Sequence, residues 1–232
     1  MFVSVLTPTY NRRRFIPSLI TCFKHQDYPM KCIEWIILDD GNEKAQDLFI
    51  NSGLTNIRYF SSNIKLNIGA KRNKLNSLAK GDIIVCMDDD DYYPPERISH
   101  AVSTLLYNPT FNICGSSKLY LYYSDNKTIY KIGPYGPNHA TNGTMAYRRS
   151  YIDTHNYDEL VTNGEEMSFL NNYTEPMFQL DSFKNELLIS HSDNTFDKRN
   201  IRGPDSVVFK ITRFQLADFI KNKKLIDFYE NA

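Results

Sequence analysis

The chain has 232 residues, 41% of them hydrophobic, with 27 basic and 27 acidic side chains and a formal net charge of zero. That is enough apolar material for one good core and awkward for two, so a single domain of the larger α/β kind is expected. Balanced charge argues against a general nucleic-acid or membrane-surface binder, which needs a basic excess, and leaves room only for a local basic patch.

In chain order, "FVSVLT" reads as a buried strand and "RRRFIPSLITCFKHQ" as a helix, with Phe15, Leu19, Ile20 and Phe23 at helical spacing. "IEWIIL" is a second buried strand ending at Asp39 and Asp40. A helix is expected near 43–51, then a strand "IRYF", the helix "NIGAKRNKLNSLAK" stopped by Gly81, and the strand "DIIVCM". Wholly apolar strands alternating with helices predict a mostly parallel central sheet flanked by helices. The first half, 1–95, therefore reads as a nucleotide-binding unit.

The second half, 96–232, changes character. "PPERISHAVSTLLY" is a helix with Pro near its start, "KLYLYY" and "KTIYKI" form a hairpin, and "GPYGPNHATNG" is a loop. After "TMAYRRSYI" come a short helix near Gly164, a strand "ELLISH", a polar loop "SDNTFDKRNIRGP" and a terminal helix near 212–222.

Cys22, Cys32, Cys86 and Cys114 are far apart, lack CxxC spacing and sit in apolar surroundings, so they are expected reduced and buried. The start "MFVSVLTPTYN" is too short and strand-like for a signal peptide, and no apolar run approaches a membrane span. A soluble, cytoplasmic protein with no transmembrane segment is expected, unless the chain is part of something longer. The sequons at Asn126, Asn142 and Asn172 read as chance.

In open α/β sheets the ligand crevice lies beyond the carboxyl ends of the strands. Here three such ends carry "TPTYN", "DDG" and "DDDD". Four consecutive carboxylates, Asp88 to Asp91, are hard ligands suited to Mg²⁺ or Mn²⁺, and a cation would relieve their repulsion. An acidic cap on the helix after Pro94 is the plainer alternative.

Arg72 falls on the apolar stripe of its helix with Ile68, Leu75 and Ala79, so it needs an acceptor: a buried aspartate or a bound nucleotide. In "NGEEMSFLNNY" a helix from Gly164 would put Glu166 on a face with Phe169, Leu170 and Tyr173, where desolvation suits a general base. Glu165 and Glu166 could equally be first-turn carboxylates on a helix dipole. His191 closes a strand and reads alone as structural; Lys198, Arg199 and Arg202 could fold over an anionic leaving group. Arg12, Arg13 and Arg14 read as a solvated helix start, with anion contact the lesser alternative.

Taken in order, "VSVLTPTYNR", "ILDDG", "NIGAKRN", "GDIIVCMDDDDYYPPERI", "NGTMAYRR" and "GEE" resemble the family 2 inverting glycosyltransferases over about residues 2 to 170. The resemblance implies a single GT-A domain that moves a sugar from a nucleotide-diphosphate donor, UDP-linked in most of the family, to an acceptor hydroxyl. It implies that Pro8, Thr9 and Tyr10 line the nucleobase pocket, that Asp40 accepts a hydrogen bond from the base, and that Arg72 sits beside it. Asp88 and Asp90 match the DxD motif. Asp90 would hold Mn²⁺ or Mg²⁺, Asp88 and Asp89 would lie near ribose and donor sugar, and His191 would complete the metal shell. Glu166 occupies the general-base position, with Glu where the family commonly has Asp, so Glu165 stays open as the base. The acceptor is undetermined: glycan, lipid, protein or small molecule, and a lipid-linked one would need a partner or a peripheral patch. The rival readings are a degenerate transferase that binds nucleotide sugar or glycan without catalysis, and a sugar-phosphate nucleotidyltransferase. The nucleotidyltransferase would want a glycine-rich loop that "TPTYNRRR" lacks.

Overall fold

The computed structural model describes residues 1–194, 198–203 and 206–232. The first half runs β1 (Val3–Thr9), α1 (Ile16–Lys24), β2 (Ile33–Asp39), α2 (Gln46–Ile50), β3 (Ile57–Ser61), α3 (Ile68–Leu78) and β4 (Ile83–Cys86). β1 pairs in parallel with β2 on one side and with β4 on the other, Val3 lying opposite both Ile33 and Ile83. The carboxyl ends of these three strands therefore reach one edge together. Every residue of β1, β2 and β4 is buried, which is why their sequences are mostly apolar without alternation; the buried Ser4 and Glu34 satisfy each other, Ser4 Oγ donating to Glu34 Oε1 at 2.6 Å.

The second half contributes α4 (Arg97–Tyr107), β5 (Ile113–Gly115), the hairpin β6 (Leu119–Tyr123) and β7 (Thr128–Ile132), β8 (Ala146–Arg148) and α5 (Glu166–Phe169). It closes with β9 (Phe178–Gln179), β10 (Leu187–Ser190), β11 (Phe209–Ile211), α6 (Leu216–Phe219) and α7 (Lys223–Glu230). The main sheet has the order β3-β2-β1-β4-β8-β5-β9, and a second sheet has the order β10-β6-β7-β11. β8 is antiparallel to both of its neighbours. The central sheet is thus mixed and mostly parallel, as expected.

Trp35 anchors the core under α1. Its ring stacks on Phe23 at 4.1 Å and meets Phe49 edge-on at 5.3 Å, and its Nε1–H donates to Thr7 Oγ1 at 2.9 Å. The wholly buried Arg97 ties the halves together: its Nη2 donates to the carbonyls of Cys86, Gly143 and Met145.

Two expected elements differ. The terminal helix is not one element at 212–222 but two, α6 and α7, because Ile220 adopts extended backbone and Asn222 caps a fresh start, accepting from the N–H groups of Lys224 and Leu225. The helix at Glu166 is a single turn, followed by left-handed backbone at Asn171, Asn172 and Tyr173 (φ 48°, 55° and 60°). Tyr173 therefore does not share a helical face with Glu166; buried Phe169 does. All four cysteines are free thiols, Cys32 half-buried and the others buried. Among the described residues no helix is long and apolar enough to cross a membrane.

Candidate active site

A cleft of about 510 Å³ opens at the shared strand edge. Pro8, Thr9 and Tyr10 line one side, the Asp88 to Asp91 run another, and Asn142, Glu165 and Glu166 a third. The topology brings together segments far apart in sequence. A close approach makes this possible: a Cβ on Gly69 would lie 1.9 Å from the Asp158 carbonyl, so only glycine lets α3 meet the segment leading to α5. Asn73 Nδ2–H donates to the Tyr157 carbonyl at 2.9 Å, and the Asp158 N–H donates to Ser168 Oγ at 2.8 Å.

Arg72 is held by this arrangement between two acids. Its Nη1 and Nη2 donate to the two oxygens of Asp88 at 2.9 and 3.0 Å, and its Nε donates to Glu165 Oε1 at 2.8 Å. Carboxylates, Asp88 among them, are thus the partners of Arg72 within the chain. One N–H on each Nη remains for a ligand.

The two glutamates have separate environments. Glu165 is ion-paired with Arg72 and also accepts from Asn142 Nδ2 at 2.9 Å. Glu166 is half-buried, forms no ion pair among the described residues, and accepts only a longer hydrogen bond from the same Nδ2 at 3.3 Å. Burial, reinforced by the neighbouring Glu165 charge, pushes the Glu166 carboxyl up to about 7. Asn142 is itself fixed by Tyr157, whose hydroxyl donates to Asn142 Oδ1 at 2.8 Å. The sequence reading missed Asn142; its only signal was an Asn-Gly pair in a loop.

The aspartates also divide. Burial, then the Asp90 charge, raises Asp89 well above the usual carboxylate range, and its Oδ2 is buried without a partner. Burial opposes ionisation of Asp90 as well, but its His191 hydrogen bond and the nearby cations outweigh that and hold it low. His191 Nε2 lies 3.1 Å from Asp90 Oδ2, and Arg12 Nε lies 3.6 Å from the same oxygen. Burial lowers His191 despite Asp90, which favours the neutral imidazole. Asp91 accepts from the Ile189 N–H at 2.7 Å and faces Lys198 Nζ at 3.5 Å. It joins β4 to β10 and reads as structural. Asp89 and Asp90 line the cleft with carboxylate oxygens of the kind divalent cations accept, whereas His191 lies behind Asp90 and does not line it. Among the described residues no three His, Cys, Asp or Glu side chains form a ready-made shell.

Asp40 does not line the cleft but lies behind Lys71, which does. It forms a buried ion pair with Lys71 and accepts the Leu66 N–H at 2.7 Å. Lys71 could have been found in the sequence, since it lies one helical turn from Leu75. Replacing Lys71 by Met leaves Asp40 buried without a counter-charge and should cost about 3–5 kcal/mol of stability, read from denaturant midpoints. A loss below about 1 kcal/mol would show the pair to be dispensable.

Two basic segments depart from expectation. Arg12 is not solvated but lines the cleft near Asp90, because the turn before α1 folds back over the strand edge. Arg13 instead pairs with Asp47, and Arg14 with Asp193. Lys198 lines the cleft, whereas Arg202 pairs with Asp125, lies over the Tyr123 ring and does not line it. Residues 195–197 and 204–205 of that loop lie outside the described residues.

A parallel α/β half with acidic strand ends, facing a second half that supplies paired glutamates, has the architecture of a GT-A sugar transferase. Residues 4–158 match the model of glycosyl transferase family 2, and the chain belongs to that family. It is 33% identical over 109 residues to the GalNAc(5)-diNAcBac-PP-undecaprenol beta-1,3-glucosyltransferase of Campylobacter jejuni, covering 45% of this chain and 33% of that protein. It is 26% identical over 106 residues to the poly(ribitol-phosphate) beta-N-acetylglucosaminyltransferase TarS of Staphylococcus aureus, covering 44% of this chain and 18% of TarS. The chain thus matches only about a fifth to a third of the length of these relatives. Its fold is similar to S. aureus TarS 1–349 in complex with UDP-GlcNAc (TM-score 0.67, 16% identity, 84% of this chain and 60% of that one). It is also similar to the mannosyltransferase PcManGT from Pyrobaculum calidifontis in complex with GDP-Man and Mn²⁺ (TM-score 0.65, 15% identity, 83% and 58%).

Proposed function

We propose that this chain is an inverting glycosyltransferase that moves a sugar from a nucleotide-diphosphate donor, with UDP the first candidate, to an acceptor hydroxyl. The observation that carries the reading is the separation of Glu165 from Glu166. Arg72 engages Glu165 in an ion pair, while Glu166 stands on the cleft wall with its carboxyl raised to about 7. A group so poised takes a proton at neutral pH and then holds it.

Glu166 removes the proton from the acceptor hydroxyl as its oxygen bonds to the anomeric carbon. The bond from that carbon to the diphosphate breaks, the electron pair leaves with the phosphate oxygen, and the proton stays on Glu166. Attack on the face opposite the leaving group inverts the anomeric centre. Asn142 fixes the direction of the base through its bond to Tyr157. Pro8, Thr9 and Tyr10 provide the nucleobase wall, and Asp88, set by Arg72, faces the donor. Arg12 and Lys198 place positive charge where the diphosphate departs. Asp89 and Asp90 would hold a divalent cation, which when bound neutralises charge on the departing diphosphate. The mannosyltransferase neighbour's complex with GDP-Man and Mn²⁺ supports this assignment.

Calorimetric titration with UDP, GDP, CDP and TDP, with and without Mn²⁺, tests it on wild type and on Asp90→Ala. One nucleotide is expected to bind in the presence of Mn²⁺ and to lose that dependence in the variant. If no nucleotide binds under any condition, the roles given to Asp40, Arg72 and Asp90 fail together.

A further inference from the structure

The chain is neutral overall, yet one rim of the second sheet gathers cations that form no ion pair among the described residues. Lys210 of β11 lies directly opposite Lys131 of β7, and Lys131 lies opposite Tyr120 of β6. Strand alternation puts all three side chains on one face. Like charges directly opposite each other weaken a sheet, so the lysine pair has no structural benefit to explain it.

On the same face Tyr120 packs against Phe183, Phe214 and Phe219, with ring centroids at 4.9, 5.5 and 5.2 Å. Phe183 and Phe214 remain 39% and 37% exposed, and Val208, just before β11, 42%. Lys184 follows Phe183 and Arg213 precedes Phe214, both exposed. Among the described residues none of Lys131, Lys184, Lys210 and Arg213 forms an ion pair. The acids nearby in sequence, Asp181 and Asp218, cap short turns.

We propose that this rim is a peripheral docking surface for an anionic lipid bilayer, with Phe183, Phe214 and Val208 entering the headgroup boundary and the four cations facing lipid phosphates. A soluble polyanion would use the cations alone. Exposed phenyl and aliphatic groups interleaved with them gain only at an interface that is wet on one side and apolar on the other. The cleft is bounded by Leu121 and Ile132, which alternation places on the other face of the sheet, so docking leaves it open. That a lipid-linked acceptor is presented there rests on the transferase reading; the docking itself does not.

Vesicle co-sedimentation tests it, with phosphatidylcholine alone and with an added phosphatidylglycerol fraction. Wild type is expected to bind only the anionic vesicles, and less as salt rises. Each cation removed should weaken partitioning about five-fold, so Lys210→Gln with Arg213→Gln should lose roughly 25-fold. Phe214→Ser should weaken binding further, whereas Lys74→Gln, on the exposed side of α3, should change nothing. The melting temperature of each variant is checked against wild type, and Lys131→Gln serves as a second variant. Equal binding to both vesicle types, binding to neither, unchanged binding in the double variant, or capture by soluble inorganic polyphosphate without vesicle binding would each overturn the proposal. Nucleotide titration of the same variants should match wild type, which separates failure here from failure of the transferase reading.

Discussion

Glu166→Gln is expected to lower kcat by about 10²–10⁴-fold while leaving nucleotide-sugar binding within two- to three-fold of wild type, since the lost step is proton transfer. The wild-type pH profile carries the same information. A base with its carboxyl raised to about 7 is protonated below that pH, so kcat should rise as pH climbs through about 7 and then level. That rise should vanish in the variant. Stability runs the other way. A carboxyl raised on folding favours the folded state when protonated, so its contribution is lost as pH rises from about 4.5 through about 7. Glu166→Gln should therefore gain stability relative to wild type over that window. If Glu165→Gln instead abolishes turnover while Glu166→Gln stays active with its acid limb intact, the roles of the two glutamates are reversed.

Arg72→Met should destabilise the protein by about 3–5 kcal/mol and abolish turnover. It leaves Asp88 and the buried Glu165 without their shared counter-charge. The loss of activity should exceed what instability explains, because Glu165 freed from Arg72 competes with Glu166 for the proton and releases Asn142 from its position. Adding Glu165→Gln to Arg72→Met removes the stranded charge and should recover part of the stability. A double-mutant cycle of chemical denaturation then reads the coupling directly. Additive losses would show that Arg72 is held by Asp88 alone. Lysine should rescue poorly, since three nitrogens of the planar guanidinium meet two carboxylates at once.

The mostly apolar runs of β1, β2 and β4 by themselves determined a doubly covered parallel block, because a strand buried on both faces cannot alternate; the antiparallel β8 beside it was set by the fold. Parallel strands align their carboxyl ends, so the same pattern places "TPTY", "DDG" and "DDDD" at one edge. The ordered segments then identified the family. The sequence could not say which glutamate is the base or what Arg72 touches. Spacing gives the face of a helix, but the partner on that face comes from a segment some ninety residues away, as Glu165 does for Arg72. It could not reveal Asn142, whose role depends on the Tyr157 hydroxyl behind it, nor the rim of Lys131 and Lys210, which exists only through cross-strand register. The terminal helix was misplaced because a short amphipathic stretch reads the same in one helix or two, and the break at Ile220 is set by packing, that residue being wholly buried in the main core. Local pattern fixes what faces inward; only the tertiary fold decides which buried charges meet, because that depends on long-range contacts that no window of sequence contains.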